Sequence, residues 1–316
     1  MDLAPLLSDA FKKRQALFGD PASTCFRLFN GAGDGLDGLA IDWYDGYLLV
    51  QYFKPAVGGM TDDLARGIDA AGAFLPGALS GILLKNRMKQ EDAADISATR
   101  TSSLVSGSEP PEGHTVTQNG VRAAVDLVRG QSTGIFLDMR EVRDRLTPYY
   151  APDDTMLNLF SYTALFSVHA ARCGITGAVN VDLSRAVLER AKTNYGLNGI
   201  RVDERDFVYG DSLEWARRFR KKGRTFSFVI FDPPTFSRNR QRSFSSRRDY
   251  AASLALLADL APGGHALTSV NSFSISAGEY RSFHPASWRL EFFANESSDF
   301  TRAADAYLKV GLWKIA

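Results

Sequence analysis

The run Phe228-Val229-Ile230-Phe231-Asp232-Pro233-Pro234-Thr235-Phe236 restricts the fold more than any other stretch of the chain. Four consecutive apolar residues make a strand buried on both faces, as in a parallel sheet covered by helices. The strand has to end at Asp232. Proline has no N–H to donate and a fixed φ, so Pro233 and Pro234 cannot extend the ladder. They form a stiff, extended lip just beyond the strand's carboxyl end, which is where open α/β sheets bind ligands. Asp232 therefore stands at the mouth of a candidate site, with Phe236 nearby as an apolar or stacking surface. Taken alone, Asp-Pro-Pro-Thr fits a strand ending in a proline turn equally well.

The rest of the chain supplies the sheet this strand needs. From about residue 153, strands at 156–160, 178–182, 205–208, 226–231, 265–270 and 307–315 alternate with helices at 164–173, 184–197, 212–220 and 247–260. This order predicts an α/β fold with a Rossmann-like, doubly wound, mostly parallel sheet. A small α+β module precedes it: a helix over 3–19, strands at 26–29, 39–44 and 47–53, a helix over 61–74 and a strand at 82–85. Asp45-Gly46 and Asn119-Gly120 mark hairpins. Segment 98–113, rich in Thr, Ser, Gly, Glu and Pro, reads as a loop or linker. The expected division is an N-terminal helix over 1–20, a β-rich domain over 21–112 and the α/β domain over 113–316.

With 316 residues there is length for about two domains. A net charge of +1 excludes a global polyelectrolyte surface, so any nucleic-acid contact must be a local patch. The basic trio Lys12, Lys13 and Arg14 reads as the solvated face of an amphipathic helix. Two cysteines far apart, Cys25 and Cys173, give neither a disulfide framework nor a zinc cluster, and four scattered histidines suggest no metal site. No apolar run is long enough to span a membrane and no signal peptide is evident, so a cytoplasmic protein is expected.

Ligand chemistry follows from the strand ends. Strand 156–160 runs into Ser161-Tyr162-Thr163, small and polar residues opening a helix. The next strand ends at Asp182, where a Rossmann carboxylate accepts from both hydroxyls of a ribose. Asp211 sits at the following strand–helix junction, within reach of an adenine amino group, and Asp232 follows at the next. Three acids at three such junctions point to a nucleoside ligand. The glycine-rich phosphate fingerprint is missing between Asn158 and Phe166, so no glycine lets the backbone approach a pyrophosphate. That disfavours NAD and FAD. S-adenosylmethionine carries no phosphate and tolerates the loss.

Over residues 131–238 the chain resembles a bacterial family of S-adenosylmethionine-dependent, class I methyltransferases that modify 23S ribosomal RNA. The matching stretches are Thr133-Gly134-Ile135-Phe136-Leu137-Asp138-Met139-Arg140, Asn158-Leu159-Phe160-Ser161-Tyr162-Thr163, Asn180-Val181-Asp182-Leu183-Ser184-Arg185 and Phe231-Asp232-Pro233-Pro234-Thr235-Phe236-Ser237. The β-rich module at 26–53 looks like that family's central domain. The family's frequent N-terminal PUA domain has no counterpart in the residues before it. The resemblance implies that Phe160, Ser161, Tyr162 and Thr163 line the methionine end of the cofactor, that Asp182 holds the ribose, and that Asp211 reads the adenine. Asp138 and Arg140 would help close the site, with Phe136 and Ser184 as further cofactor contacts. Asp232, Pro233, Pro234 and Phe236 would face the target base.

Part of the family makes 5-methylcytosine, which needs a cysteine thiolate to add at carbon 6. The place expected for it reads Thr268-Ser269-Val270-Asn271-Ser272, without cysteine. The lip looks more like the guanine-N7 branch, where an in-plane lone pair takes the methyl directly once positioned. The cytosine-C5 activity of the same family is the first alternative; methylation of a guanine amine and a non-catalytic RNA-binding or assembly role are the others. Arg238, Arg240, Arg242, Arg247 and Arg248 follow the lip and suit RNA phosphates, of ribosomal RNA or a precursor particle. A second cluster, Arg217 to Arg224, is either a solvated helix end or a further contact.

Overall fold

The computed structural model describes residues 2–88, 101–234, 236–238 and 243–316, with the backbone alone for 236–238 and 243–249. The chain forms two compact units, Met1–Arg140 with Ser297–Ala304, and Glu141–Glu296 with Asp305–Ala316. The first unit thus extends past residue 112 to Arg140. Among the described residues no helix is long and apolar enough to cross a membrane.

The first unit holds a five-stranded sheet in the spatial order β1 (Cys25–Asn30), β2 (Leu39–Tyr44), β3 (Tyr47–Tyr52), β4 (Gly81–Asn86) and β5 (Ser103–Gly107). Asp45 and Gly46, both at positive φ, make the tight turn between β2 and β3. β3 and β4 are parallel, joined through α2 (Pro55–Gly58) and α3 (Thr61–Ala70). Leu7 and Phe11 of α1 (Ala4–Lys13) pack with Leu64 and Ile68 of α3 against Phe26, Leu28, Ile41 and Val50 of the sheet. The expected hairpin at Asn119-Gly120 forms between β6 (Thr115–Gln118) and β7 (Val121–Ala124), again with both turn residues at positive φ.

Two expectations are corrected here. β5 lies inside the stretch read as a loop. Its residues are largely exposed, with a single apolar pair, Leu104-Val105, but the open edge of β4 offers a ladder that local composition does not announce. Of the basic trio, Lys12 and Lys13 are exposed as expected, but Arg14 is not solvated. Arg14 is buried and clamps the Asp34 carboxylate through both guanidinium ends, at 2.9 and 2.6 Å, while Lys13 reaches it at 3.3 Å. Lys12 lies over the Phe74 ring. Burial alone would raise the Asp34 pKa; the hydrogen bonds and charge of Arg14 outweigh it and lower the value.

The second unit is the doubly wound α/β fold. Its sheet has the order β10 (Phe207–Tyr209), β9 (Gly177–Asp182), β8 (Thr155–Leu159), β11 (Phe228–Phe231), β14 (His265–Asn271), β16 (Leu308–Lys314) and β15 (Arg289–Ala294). A small separate hairpin, β12 (Phe236–Arg238) and β13 (Ser243–Ser245), follows the lip. Helices α4 (Arg140–Leu146), α5 (Leu165–Arg172), α6 (Arg185–Leu197), α7 (Ser212–Lys221), α8 (Ser246–Leu260) and α9 (Ala277–Ser282) complete the chain order. All strands are parallel except β16, which runs antiparallel to both neighbours. β15 was not expected. A register shift between Leu290 and Phe292 breaks its alternation, and Arg289 and Glu291 give it the look of a surface loop.

Strand order fixes where a ligand can bind. The chain starts at β8, moves outward through β9 to β10, then returns to β11 on the other side of β8. The order therefore reverses between β8 and β11, and the crevice at their carboxyl ends is the topological switch point.

Candidate active site

β8 and β11 end level, and β14 continues to Asn271. Phe231 of β11 pairs with Leu159 of β8 and with Thr268 of β14. Phe160, Asp232 and Ser269 are thus neighbours along the carboxyl edge.

The loop leaving β8 is strained. Phe160, Tyr162 and Ala164 all have left-handed backbone, at φ 57, 49 and 60°. Each costs on the order of 1–2 kcal/mol in a residue with a Cβ. The surrounding unit holds the loop in that shape. Phe160 N–H donates to Ser212 Oγ (2.9 Å), whose hydroxyl donates to the Val181 carbonyl (3.3 Å). Ser161 N–H also reaches the Val181 carbonyl (3.0 Å), and Asn194 Nδ2 donates to the Thr163 carbonyl (3.0 Å). The Phe160 ring packs edge-on against Phe231 at 5.8 Å.

Asp182 is the main fastening. Its Oδ2 accepts Tyr162 N–H at 3.0 Å and its Oδ1 accepts Ser184 N–H at 2.9 Å. A carboxylate has about four lone-pair positions, so acceptor capacity remains for a ligand hydroxyl. Burial pushes the Asp182 carboxyl up, against the pull of the backbone N–H groups.

The remaining cofactor candidates carry structural duties as well. Ser184 caps α6, its Oγ accepting Val187 N–H at 3.3 Å. Asp211 caps α7, its Oδ1 accepting Glu214 N–H at 2.9 Å. Gly210 before it sits at φ 144°, and a Cβ there would meet Trp215 Nε1 at 2.6 Å. Phe136, Asp138 and Arg140 belong to the first unit. There Arg140 pairs with buried Asp299 at 2.8 Å, and the Asp138 carbonyl accepts Ser297 N–H at 2.9 Å.

At the lip, Asp232 is half-buried, Pro233 buried and Pro234 exposed. The Ser269 hydroxyl donates to Asp232 Oδ1. Ser269 is 1% exposed, and its carbonyl accepts the Tyr250 hydroxyl at 3.0 Å. Sequence reasoning missed Ser269 and Ser212 as supports of the site. Both sit at strand or helix junctions that it had located, but their partners are 37 and 52 residues away.

Phe236 and Arg238 fall in β12, and Arg247 and Arg248 in the first turn of α8. Arg240 and Arg242 lie outside the described residues. In the second arginine cluster, Arg220 pairs with Asp259 at 3.1 Å, and Arg218 and Arg224 lie over Trp215, Phe219 and Phe226.

A doubly wound sheet with a crevice at its topological switch point defines an α/β fold that binds its ligand at the carboxyl edge. Residues 26–282 match the S-adenosylmethionine-dependent methyltransferase family, and the chain belongs to it. It is 34% identical over 284 residues to YwbD of Bacillus subtilis (strain 168), whose name assigns it provisionally as a ribosomal RNA large subunit methyltransferase; the match covers 90% of this chain and 70% of the relative. It is 30% identical over 288 residues to ribosomal RNA large subunit methyltransferase I of Aliivibrio fischeri (strain MJ11), covering 89% of this chain and 68% of the relative. The crystal structure of SMU.776, a provisionally assigned methyltransferase complexed with SAH, superposes with a TM-score of 0.89 at 27% identity, covering 99% of this chain and 81% of that one.

The residues present fit the family's cofactor. Ser161 Oγ is buried and has no hydrogen-bond partner among the described residues. A buried hydroxyl left unpaired costs about 1–3 kcal/mol, and a polar ligand in the crevice relieves that cost. S-adenosylmethionine supplies a methyl group on a sulfonium, an electrophile that needs no metal to activate it.

Proposed function

We propose that this enzyme methylates RNA of the large ribosomal subunit, at N7 of a guanine, by direct in-line transfer. The names of the relatives support the RNA class. The observation that carries the choice of atom is the absence of a thiol at the carboxyl edge. The chain has two cysteines. Cys25 is buried in β1 of the first unit, its Sγ directed at the Thr117 carbonyl (3.6 Å). Cys173 ends α5, which leaves the carboxyl edge at its first residue and so delivers Cys173 to the opposite edge. In β14, Ser269 and buried Val270 stand where a carbon-5 enzyme needs its nucleophile.

Guanine N7 presents an in-plane lone pair, so no base has to remove a proton. The protein's task is then to hold the base in line and keep water out. In this reading Asp232, Pro233, Pro234 and Phe236 face the target base. Phe160, Ser161, Tyr162 and Thr163 line the methionine end of the cofactor, Asp182 and Ser184 hold the ribose side, and Asp211 takes the adenine. Phe136, Asp138 and Arg140 are the further cofactor contacts of this reading. Arg238, Arg240, Arg242, Arg247 and Arg248 meet RNA phosphates.

The test is transfer of labelled methyl to unmodified large-subunit RNA, followed by nucleoside analysis. Label in 7-methylguanosine is the expected result. Label in 5-methylcytidine overturns the choice of atom. Cofactor binding without transfer to RNA overturns the substrate class.

A further inference from the structure

Phe273 is 75% exposed, the most exposed large apolar side chain among the described residues. Single exposed apolar residues are ordinary, so exposure alone argues nothing. Its setting does. Phe273 lies just past β14, four residues beyond the Ser269 that holds Asp232. At most about 13 Å of chain separates them. It therefore stands on the carboxyl edge of the sheet, beside the lip.

The turn that carries it is pinned. Ser272 N–H donates to the Tyr307 carbonyl (2.7 Å), and Ser274 N–H donates to Ser272 Oγ (3.2 Å). The Ser272 and Ser274 hydroxyls bond each other at 3.0 Å. Lys309 Nζ donates to the Ser272 carbonyl at 2.7 Å. The Tyr307 ring backs the Phe273 ring at 5.7 Å, tilted by 56°. A ring fixed by its turn, supported from one side and open to solvent on the other loses little entropy when a flat partner lands on it.

We infer that Phe273, backed by Tyr307, is a stacking platform for an unpaired RNA nucleobase adjacent to the target nucleotide. This rests on the RNA reading above and names one contact that reading lacks. A base presented to Asp232 must leave its helix, and single-stranded RNA is held by stacking its exposed bases on aromatic side chains. The arginines that follow the lip in the chain would meet phosphate; a ring just past β14 gives the neighbouring base its own support.

Binding of unmodified large-subunit RNA by Phe273→Ala, Phe273→Leu and Phe273→Trp is compared with wild type at several salt concentrations, with S-adenosylhomocysteine affinity as the control. Because the side chain is exposed, all three variants fold. Phe273→Ala should weaken RNA binding by about five- to a hundredfold, with cofactor affinity within twofold and an unchanged salt slope, since no phosphate contact is lost. Phe273→Leu should resemble Phe273→Ala, because it keeps the apolar bulk and loses the ring. Phe273→Trp should bind as wild type, with its fluorescence quenched on adding RNA. Wild-type affinity in Phe273→Ala or in Phe273→Leu overturns the platform while leaving the RNA reading intact. A wild-type enzyme that neither binds nor methylates this RNA overturns both.

Discussion

Replacing Asp182 by Asn changes one atom and should cost far more than an isosteric swap. Each carboxylate oxygen accepts one backbone N–H, from Tyr162 and from Ser184. Asparagine has one acceptor oxygen, so whichever way the amide turns, its NH2 group faces an N–H donor. One charge-assisted bond is lost, worth about 1.5–3 kcal/mol. If Tyr162 is the group deserted, the left-handed residues at 160, 162 and 164 lose part of what holds them. A weakened bond to one ribose hydroxyl adds about 1 kcal/mol. The sum is about 2.5–4 kcal/mol, roughly fifty- to several hundredfold in cofactor affinity. Calorimetric titration of Asp182→Asn with S-adenosylhomocysteine measures it directly. Acidification provides an independent arm. Burial raises the Asp182 pKa, so cofactor affinity is complete well above that raised value and is lost as pH falls through it, earlier than for an ordinary carboxylate. A loss below about threefold in Asp182→Asn, with a wild-type circular dichroism spectrum, would refute the placement of the ribose on this residue.

Two further outcomes follow from the same unit. Ser269→Ala leaves Asp232 without the hydroxyl that orients it, so single-turnover methyl transfer should slow by roughly ten- to a hundredfold while S-adenosylhomocysteine affinity stays within twofold; equal losses in both would mean a collapsed site rather than a misplaced carboxylate. His169 and His284 are both held down to about 4, chiefly by burial, with Arg143 and Arg172 adding to the effect on His169. The unfolded chain protonates them near 6.5 and the folded chain does not, so stability is complete above that pH and falls by about 2 kcal/mol per histidine by pH 5. Urea unfolding at pH 7.5 and pH 5 tests this, and equal stabilities would contradict the buried, neutral state.

The centre of the fold was legible because its signal is local. Phe228 to Phe231 is apolar without interruption, and each neighbouring strand ends in a polar residue at a helix start, so the sheet and its acids could be placed from one-dimensional pattern. The edges were not legible for the opposite reason. β5 is Ser-Leu-Val-Ser-Gly, whose strand state depends on the free ladder of β4. β15 carries a bulge that breaks the alternation. Arg14 reads as surface charge until Asp34 is brought to it by the turn after β1. In the site, the acids were visible and their holders were not. Asp182 announces itself by position, whereas Ser212 and Ser269 are common residues whose value lies in a partner strand.

Register converts that pattern into a site. Side chains alternate across a sheet with period two, so a slip of one residue sends every group to the other face. In β14, Thr268 sends its hydroxyl to Tyr280 (2.6 Å), His284 (2.8 Å) and Trp313 (3.1 Å) in the core, and the next residue, Ser269, turns to Asp232. The buried cluster around Thr268 therefore fixes more than packing. His284, stacked on Trp313 at 3.9 Å, is held to Thr268, and a register that placed Ser269 there would take Asp232's partner away from the carboxyl edge. Because Phe231 pairs with Thr268 on one side and with Leu159 on the other, the same register places the strained loop at Phe160 on the other flank of Asp232. The strained loop and the lip are thus set by one row of backbone pairs.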